Sequence, residues 1–139
     1  MRLMNIVLGA SLALAAPALA QAAAMTPAEA IAAAAKAATG EVRGVFEFRV
    51  GSTGASGFKV FLNSDPDYRA PTNLTAELQP AANTELRQKL GALPQDVLTG
   101  KRVRITGTAH RVSIPKRDGT SYFQTRIEVA AANQIQILD

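Results

Sequence analysis

The 139-residue chain has no cysteine, no tryptophan and a single histidine. Without cysteine there is no disulfide scaffold, no thiolate zinc site, no iron–sulfur cluster and no thiol nucleophile. One histidine leaves little room for a multi-histidine metal centre or a Ser-His-Asp relay. Aromatic residues are also few, five Phe and two Tyr. Any binding mode that relies on stacked rings must therefore use a handful of identifiable positions. Charged residues are sparse as well, 15 basic against 11 acidic, a net charge of +4. No residue set suggests a cofactor or a metal, so none is expected.

The hydrophobic content of 47% is unevenly spread, because 17 of the 27 alanines fall in the first 40 residues. Residues 1–20 have the pattern of a secretory signal peptide. Arg2 is the positive start, Ile6–Ala16 the apolar stretch, Pro17 its break, and Ala18-Leu19-Ala20 the small-x-small cleavage signature. A second cleavage point follows Ala22-Ala23-Ala24. The apolar run is shorter than the roughly 20 residues that span a bilayer, so no stable membrane span is expected after cleavage. A lipoprotein is excluded because its acceptor is a cysteine. The expected location is the bacterial periplasm or the medium.

Thr26-Pro27-Ala28-Glu29 carries the signature of a capped helix start, and the alanine-rich helix is predicted over residues 26–39, stopped by Gly40. Its thin apolar face predicts loose packing. From Val42 the period changes to two, which marks a half-buried strand. Gly51–Gly57 reads as a flexible connection, lacking the Lys-Ser/Thr ending and following helix of a phosphate loop. Further strands are expected at Phe58–Asn63, Asn73–Leu78, Lys101–Val112 and Tyr122–Val129, with an edge segment at Ile135–Leu138. Asn83 or Thr84 would cap a short helix ending at Gly91. Three strands, a helix, then two strands is the order of a five-stranded OB-type Greek-key barrel, predicted over residues 41–139. An SH3-like barrel ranks second because it lacks that helix.

Several segments carry a resemblance. Thr26–Ala30 with Gly40–Val45, Phe61-Leu62-Asn63 with Asp67-Tyr68-Arg69 and Asn73-Leu74-Thr75, Leu98–Gly107, and Ile127-Glu128-Val129 with Gln134-Ile135 together resemble OB domains of exported bacterial proteins. The resemblance implies an OB fold similar to the nucleic-acid-binding OB superfamily, and an exported binding module.

Charge is segregated. Glu41–Gly100 holds six basic and seven acidic residues, and Lys101–Asp139 seven basic and three acidic. Strand alternation turns Arg102, Arg104, His110 and Arg126 away from the core, and turns Phe123, Thr125, Ile127 and Val129 inward. Lys116 and Arg117 sit in the loop joining the last two long strands, a loop that OB barrels use for oligonucleotides and oligosaccharides. Phe46, Phe48 and Phe58 have inward phase. Phe61, Tyr68 and Tyr122 are left as exposed platforms, with Phe61 sharing a face with Lys59 and Asn63. The candidate ligand residues are therefore Lys59, Phe61, Arg102, Arg104, Lys116, Arg117, Tyr122 and Arg126. Against this stands a solvated polar face, with Arg126 or Arg104 paired to Glu128.

The expected function is a non-catalytic exported binding module for nucleic acid or another anionic polymer. The alternative is a periplasmic protein-interaction or envelope-structural module without a nucleic-acid ligand. A metal-dependent nuclease would have to be built on Arg43, Glu47, Asp65 and Asp67, whose spacing matches no nuclease motif. Asp65 and Asp67 flank a proline and read as turn formers rather than a calcium site.

Overall fold

The computed structural model describes residues 23–139; the segment predicted to be cleaved over residues 1–20 lies outside the described residues. Helix α1 spans Pro27–Lys36. Thr26 Oγ1 accepts from the Glu29 amide at 3.2 Å, and Glu29 Oε1 accepts from the Thr26 amide at 3.3 Å. Ala30 and Ala34 are fully buried, and Ala30 belongs to the main core. The helix is thus firmly seated, contrary to the loose packing expected. Alanine's small side chain lets the helix backbone lie close to the sheet.

The strands are β1 (Glu41–Arg49), β2 (Ser52–Ser56), β3 (Lys59–Asn63), β4 (Leu74–Leu78), β5 (Arg102–Pro115), β6 (Ser121–Val129) and β7 (Ile135–Ile137). Between β4 and β5 lie α2 (Pro80–Leu90) and the one-turn α3 (Pro94–Val97). Neighbouring strands run in the order β1-β5-β6-β4-β3-β2, with β7 paired to β5. The β4–β6 pair is parallel and the others are antiparallel. The two ends of this path, β1 and β2, are separated in the chain only by Val50–Gly51.

Seven strands are present where five and an edge segment were expected: β7 falls on that edge segment, and β2 is the addition. The Gly51–Gly57 segment, expected to be a flexible connection, instead forms β2 and pairs with β3 from Ser52↔Asn63 to Ser56↔Lys59. Gly51 permits the turn into it. A Cβ there would lie 2.9 Å from the Ser64 carbonyl oxygen and from the Asp65 carbonyl carbon. Those are backbone atoms, so the 64–73 loop can pack against the bend only if residue 51 is glycine. Helix α2 begins at Pro80, earlier than the Asn83 or Thr84 expected, because proline suits the first helical turn.

Phe46, Leu62, Leu74, Leu78, Leu98, Ile105 and Ile127 are fully buried. Each contributes about 1.5–3 kcal/mol of hydrophobic stabilisation. Two aromatic residues depart from their expected inward positions: Phe58 is 82% exposed and Phe123 is 56% exposed. Pairing of β6 with β4 starts only at Thr125↔Leu74, so Phe123 sits where β6 pairs with β5 alone and its inward phase has no core to face. Phe58 lies in the Gly57-Phe58 turn that joins β2 to β3, one residue before the strand expected to hold it begins. Between Val112↔Gln124 and Pro115↔Ser121, β5 and β6 form a two-stranded ribbon, extending the hairpin beyond the core.

Candidate functional site

Alternation along β3, β4 and β6 puts Val60, Leu62, Leu74, Ala76, Leu78, Ile127 and Val129 in the core. The opposite phase carries Lys59, Phe61, Asn63, Thr75, Glu77, Gln124 and Arg126, and Tyr122 joins it from the ribbon. These residues share the outer face of the sheet. A cleft of about 320 Å³ opens there, lined by Phe61, Tyr68 and Tyr122, by Asn63, Thr75, Gln124 and Arg126, and by the Thr53-Gly54-Ala55 segment of β2.

The cleft has a buried polar floor: Asn63, Asn73, Thr75 and Gln124 are all buried. Thr75 Oγ1 donates to Asn63 Oδ1 at 2.8 Å and accepts from Asn73 Nδ2 at 2.8 Å. Asn63 Nδ2 donates to Ser52 Oγ at 3.3 Å. The Tyr68 carbonyl accepts from both Asn73 Nδ2 and Gln124 Nε2, each at 3.1 Å. Through these bonds the 64–73 loop is tied to β3, β4 and β6. A buried network of this kind is stable only when its members are satisfied, and it holds the side chains in one arrangement.

Beside the floor, Glu77 joins two cations. Its carboxylate lies 2.9 Å from Lys59 Nζ and 3.3 Å from Arg126 Nη1. Burial tends to raise the Glu77 pKa, but hydrogen bonds from Lys59 and Gln79, with the charges of Lys59 and Arg126, bring it below its ordinary value. Arg126 Nε also donates to Gln124 Oε1, and its guanidinium lies 5.5 Å from the Phe61 ring centre.

That stacking recurs. Lys116 lies 5.6 Å from the Tyr122 ring centre, Arg69 5.2 Å from Tyr68 and Arg111 3.6 Å from Phe123. All are within the roughly 6 Å range of cation–π attraction. Phe46 and Phe48 are buried. Of the five remaining aromatic residues, only Phe58 lacks a stacked cation among the described residues.

The structure brings Lys59, Phe61, Tyr122 and Arg126 to one face, with Lys116 above Tyr122 and Arg117 in the same exposed hairpin turn. It separates Arg102 and Arg104 from them. Those two arginines pair with Glu47 of β1, Arg104 at 2.9 Å and Arg102 at 3.6 Å. Neither Arg104 nor Arg126 pairs with Glu128, the partner weighed from sequence. Sequence reasoning did not select Thr75 or Gln124 for the site. Gln124 has the same strand phase as Arg126, and that signal could have identified it. Among the described residues no cluster of three or more His, Asp or Glu side chains could hold a metal, and no helix is long and apolar enough to cross a membrane.

No protein-family model and no curated protein matches the chain. Several solved structures are similar to it, among them the following two. One is a putative aspartyl-tRNA synthetase from Leishmania major, with a TM-score of 0.51 and 12% identity over 85% of this chain. This chain spans only 21% of that protein. The other is a mitochondrial single-stranded DNA-binding protein from S. cerevisiae, with a TM-score of 0.42 and 15% identity over 71% of this chain and 92% of its own. At 12% identity the similarity to the synthetase is one of fold alone, and that fold is of the OB type.

Proposed function

We propose that the chain is a non-catalytic OB-type binding module whose outer face holds single-stranded nucleic acid. In this reading β1 and β2 are the two halves of one bent strand, which completes a five-strand Greek-key barrel around the core. The observation that carries the proposal is the cleft itself. Three partly exposed rings, Phe61, Tyr68 and Tyr122, surround it, and each has a basic side chain stacked on it. Ring platforms combined with cations that follow a phosphate backbone are the physical requirement for binding an unpaired strand. The signal-like segment of residues 1–20 supports an activity outside the cytoplasm, in the periplasm or the medium.

A fluorescence-anisotropy titration with labelled single-stranded DNA tests the reading. Micromolar binding at low salt that weakens in Tyr122→Ala and Phe61→Ala is the expected result. No binding at any salt concentration overturns it and leaves the envelope-protein partner as the reading to pursue. Export is tested separately. The N-terminal sequence of protein recovered from the periplasm should begin at Gln21 or Met25, and an uncleaved chain retained in the cytoplasm would remove that part of the proposal.

A further inference from the structure

The outward phase of β6 runs Tyr122, Gln124, Arg126, Glu128, that is, ring, amide, cation, carboxylate. Lys116 lies over Tyr122, and Arg117 follows it in the hairpin turn. The cleft takes up the first three positions of this row, and Arg126 is the only charged residue in its lining. Arg126 also lines a second hollow, of about 470 Å³, which reaches Glu128 on β6, Glu77 on β4 and Glu41 on β1. This hollow is larger than the cleft, so room alone would let a strand continue along β6 past Arg126.

The chemistry of the hollow is different. No Phe or Tyr lines it, and its cations Lys59, Arg111 and Arg126 are matched in number by its carboxylates Glu41, Glu77 and Glu128. The cations are engaged: Lys59 and Arg126 share Glu77, and Arg111 lies on the Phe123 ring. Glu41 pairs with His110 at 3.0 Å. Glu128 is exposed and has no ion pair among the described residues. The β4–β6 register sets it directly beside Glu77. Two residues along a strand are about 7 Å apart, so Glu128 acts within one screening length of Arg126 even at 0.1 M salt. The hollow therefore has no net attraction for a polyanion, and its one unpaired charge is repulsive.

We infer that Glu128 sets the end of the ligand's footprint: the nucleotide strand lies along β6 from the hairpin turn to Arg126 and stops before the hollow. The inference rests on the nucleic-acid reading above and goes further by naming the boundary of the bound strand and the residue that imposes it. A phosphate carried past Arg126 would meet an unpaired carboxylate, with no ring and no free cation to offset the repulsion. Toward the turn, Lys116 and Arg117 outnumber Asp118, so further phosphates are drawn that way. Because Glu128 is exposed and unpaired, replacing it alters the charge of the hollow without touching the core.

The test is a titration of purified wild-type, Glu128→Gln and Glu128→Lys protein with oligo-dT of about 8 and about 16 nucleotides, within the range one OB fold occupies. Each is measured from low to moderate salt. In the wild type the two lengths should give the same log–log salt slope, since the added nucleotides reach no further cation. Glu128→Lys should steepen the slope for the longer strand by about 0.7, the value of one phosphate contact on single-stranded DNA. At 0.1 M salt Glu128→Gln should raise the affinity of the longer strand about threefold and Glu128→Lys about tenfold. These are the screened effects of one and of two unit charges about 4 Å from a phosphate. A wild-type slope already steeper by about 0.7 or more for the longer strand means that the strand passes Glu128 unaided, and overturns the inference without any variant. Unchanged slope and affinity in Glu128→Lys overturn it too, because the strand then never comes near the hollow. Both of these outcomes leave single-strand binding intact, whereas absence of binding to either length overturns the underlying reading as well.

Discussion

Two carboxylates on the sheet, Glu47 and Glu77, have nearly the same first neighbours and very different surroundings. Glu47 joins Arg102 and Arg104; Glu77 joins Lys59 and Arg126. Beside Glu47 and Arg104 lies a hollow of about 510 Å³, with Thr106 and Gln136 in its lining but no ring. Beside Arg126 lies the smaller cleft, with three rings and a buried amide floor. Neither charge nor volume separates the two regions, since the ringless hollow is the larger and has its own two cations nearby. What separates them is the combination of ring surface and a buried polar network at the second. Under the proposed function, it is this combination that would hold the ligand.

The comparison can be broken first at the carboxylates. The Glu77 side chain is 12% exposed and the Glu47 side chain 23%. Breaking a fully buried pair costs about 3–5 kcal/mol and an exposed one about 0–1 kcal/mol. Glu77→Gln should therefore lower unfolding stability by about 2 kcal/mol, and Glu47→Gln by about 0.5 kcal/mol, in urea denaturation. Equal losses would make the two clusters equivalent. Acid sharpens the contrast. Because the folded pKa of Glu77 lies below its ordinary 4.5, its stabilising contribution is complete above that value and is lost as pH falls through the lower folded value. Denaturation midpoints between pH 6 and 3 should therefore fall less steeply in Glu77→Gln than in wild type.

The next effect is on binding. Tyr122→Ala should weaken single-strand affinity about tenfold, within the range of 1–3 kcal/mol for one stacked base. It should change stability by less than about 1 kcal/mol, since Tyr122 is only half-buried and sits on the ribbon beyond the core. A stability loss that accounts for the whole affinity loss would make Tyr122 a packing residue.

Much of this arrangement could be read from alternation. Lys59, Phe61 and Arg126 are outward-phase residues, and the structure places all three on one face. Alternation reports only the face, however, not the position along the strand. That is why alternation groups Arg102 and Arg104 with Lys116: all lie on or beside one strand, but 12 residues of a strand span roughly 40 Å. Alternation also assumes that a core exists on the inward side. Phe123 violates the assumption, because β6 there has left the third partner that would cover it, and Phe58 violates it because it lies in the β2–β3 turn and not in a strand. The polar floor was hidden for a third reason. Asn63, Thr75 and Gln124 are outward-phase residues buried by the 64–73 loop, and that loop folds back only because residue 51 lacks a Cβ.

The smallest predicted effect is the most direct test of where the ligand lies. In the β5–β6 register Arg126 is opposite His110, six residues from Arg104 along β5, or about 20 Å at 3.3–3.4 Å per residue. The Debye length is about 10 Å at 0.1 M salt and about 30 Å at 0.01 M. A strand held in the cleft is therefore two screening lengths from Arg104 at the higher concentration and within one at the lower. Arg104→Ala should leave affinity within about twofold at 0.1 M, with a slightly larger loss emerging near 0.01 M. A loss of fivefold or more at 0.1 M would mean that the strand runs along β5 and contacts the guanidinium directly. The Glu47 cluster would then belong to the site, and the stripe expected from sequence would be restored.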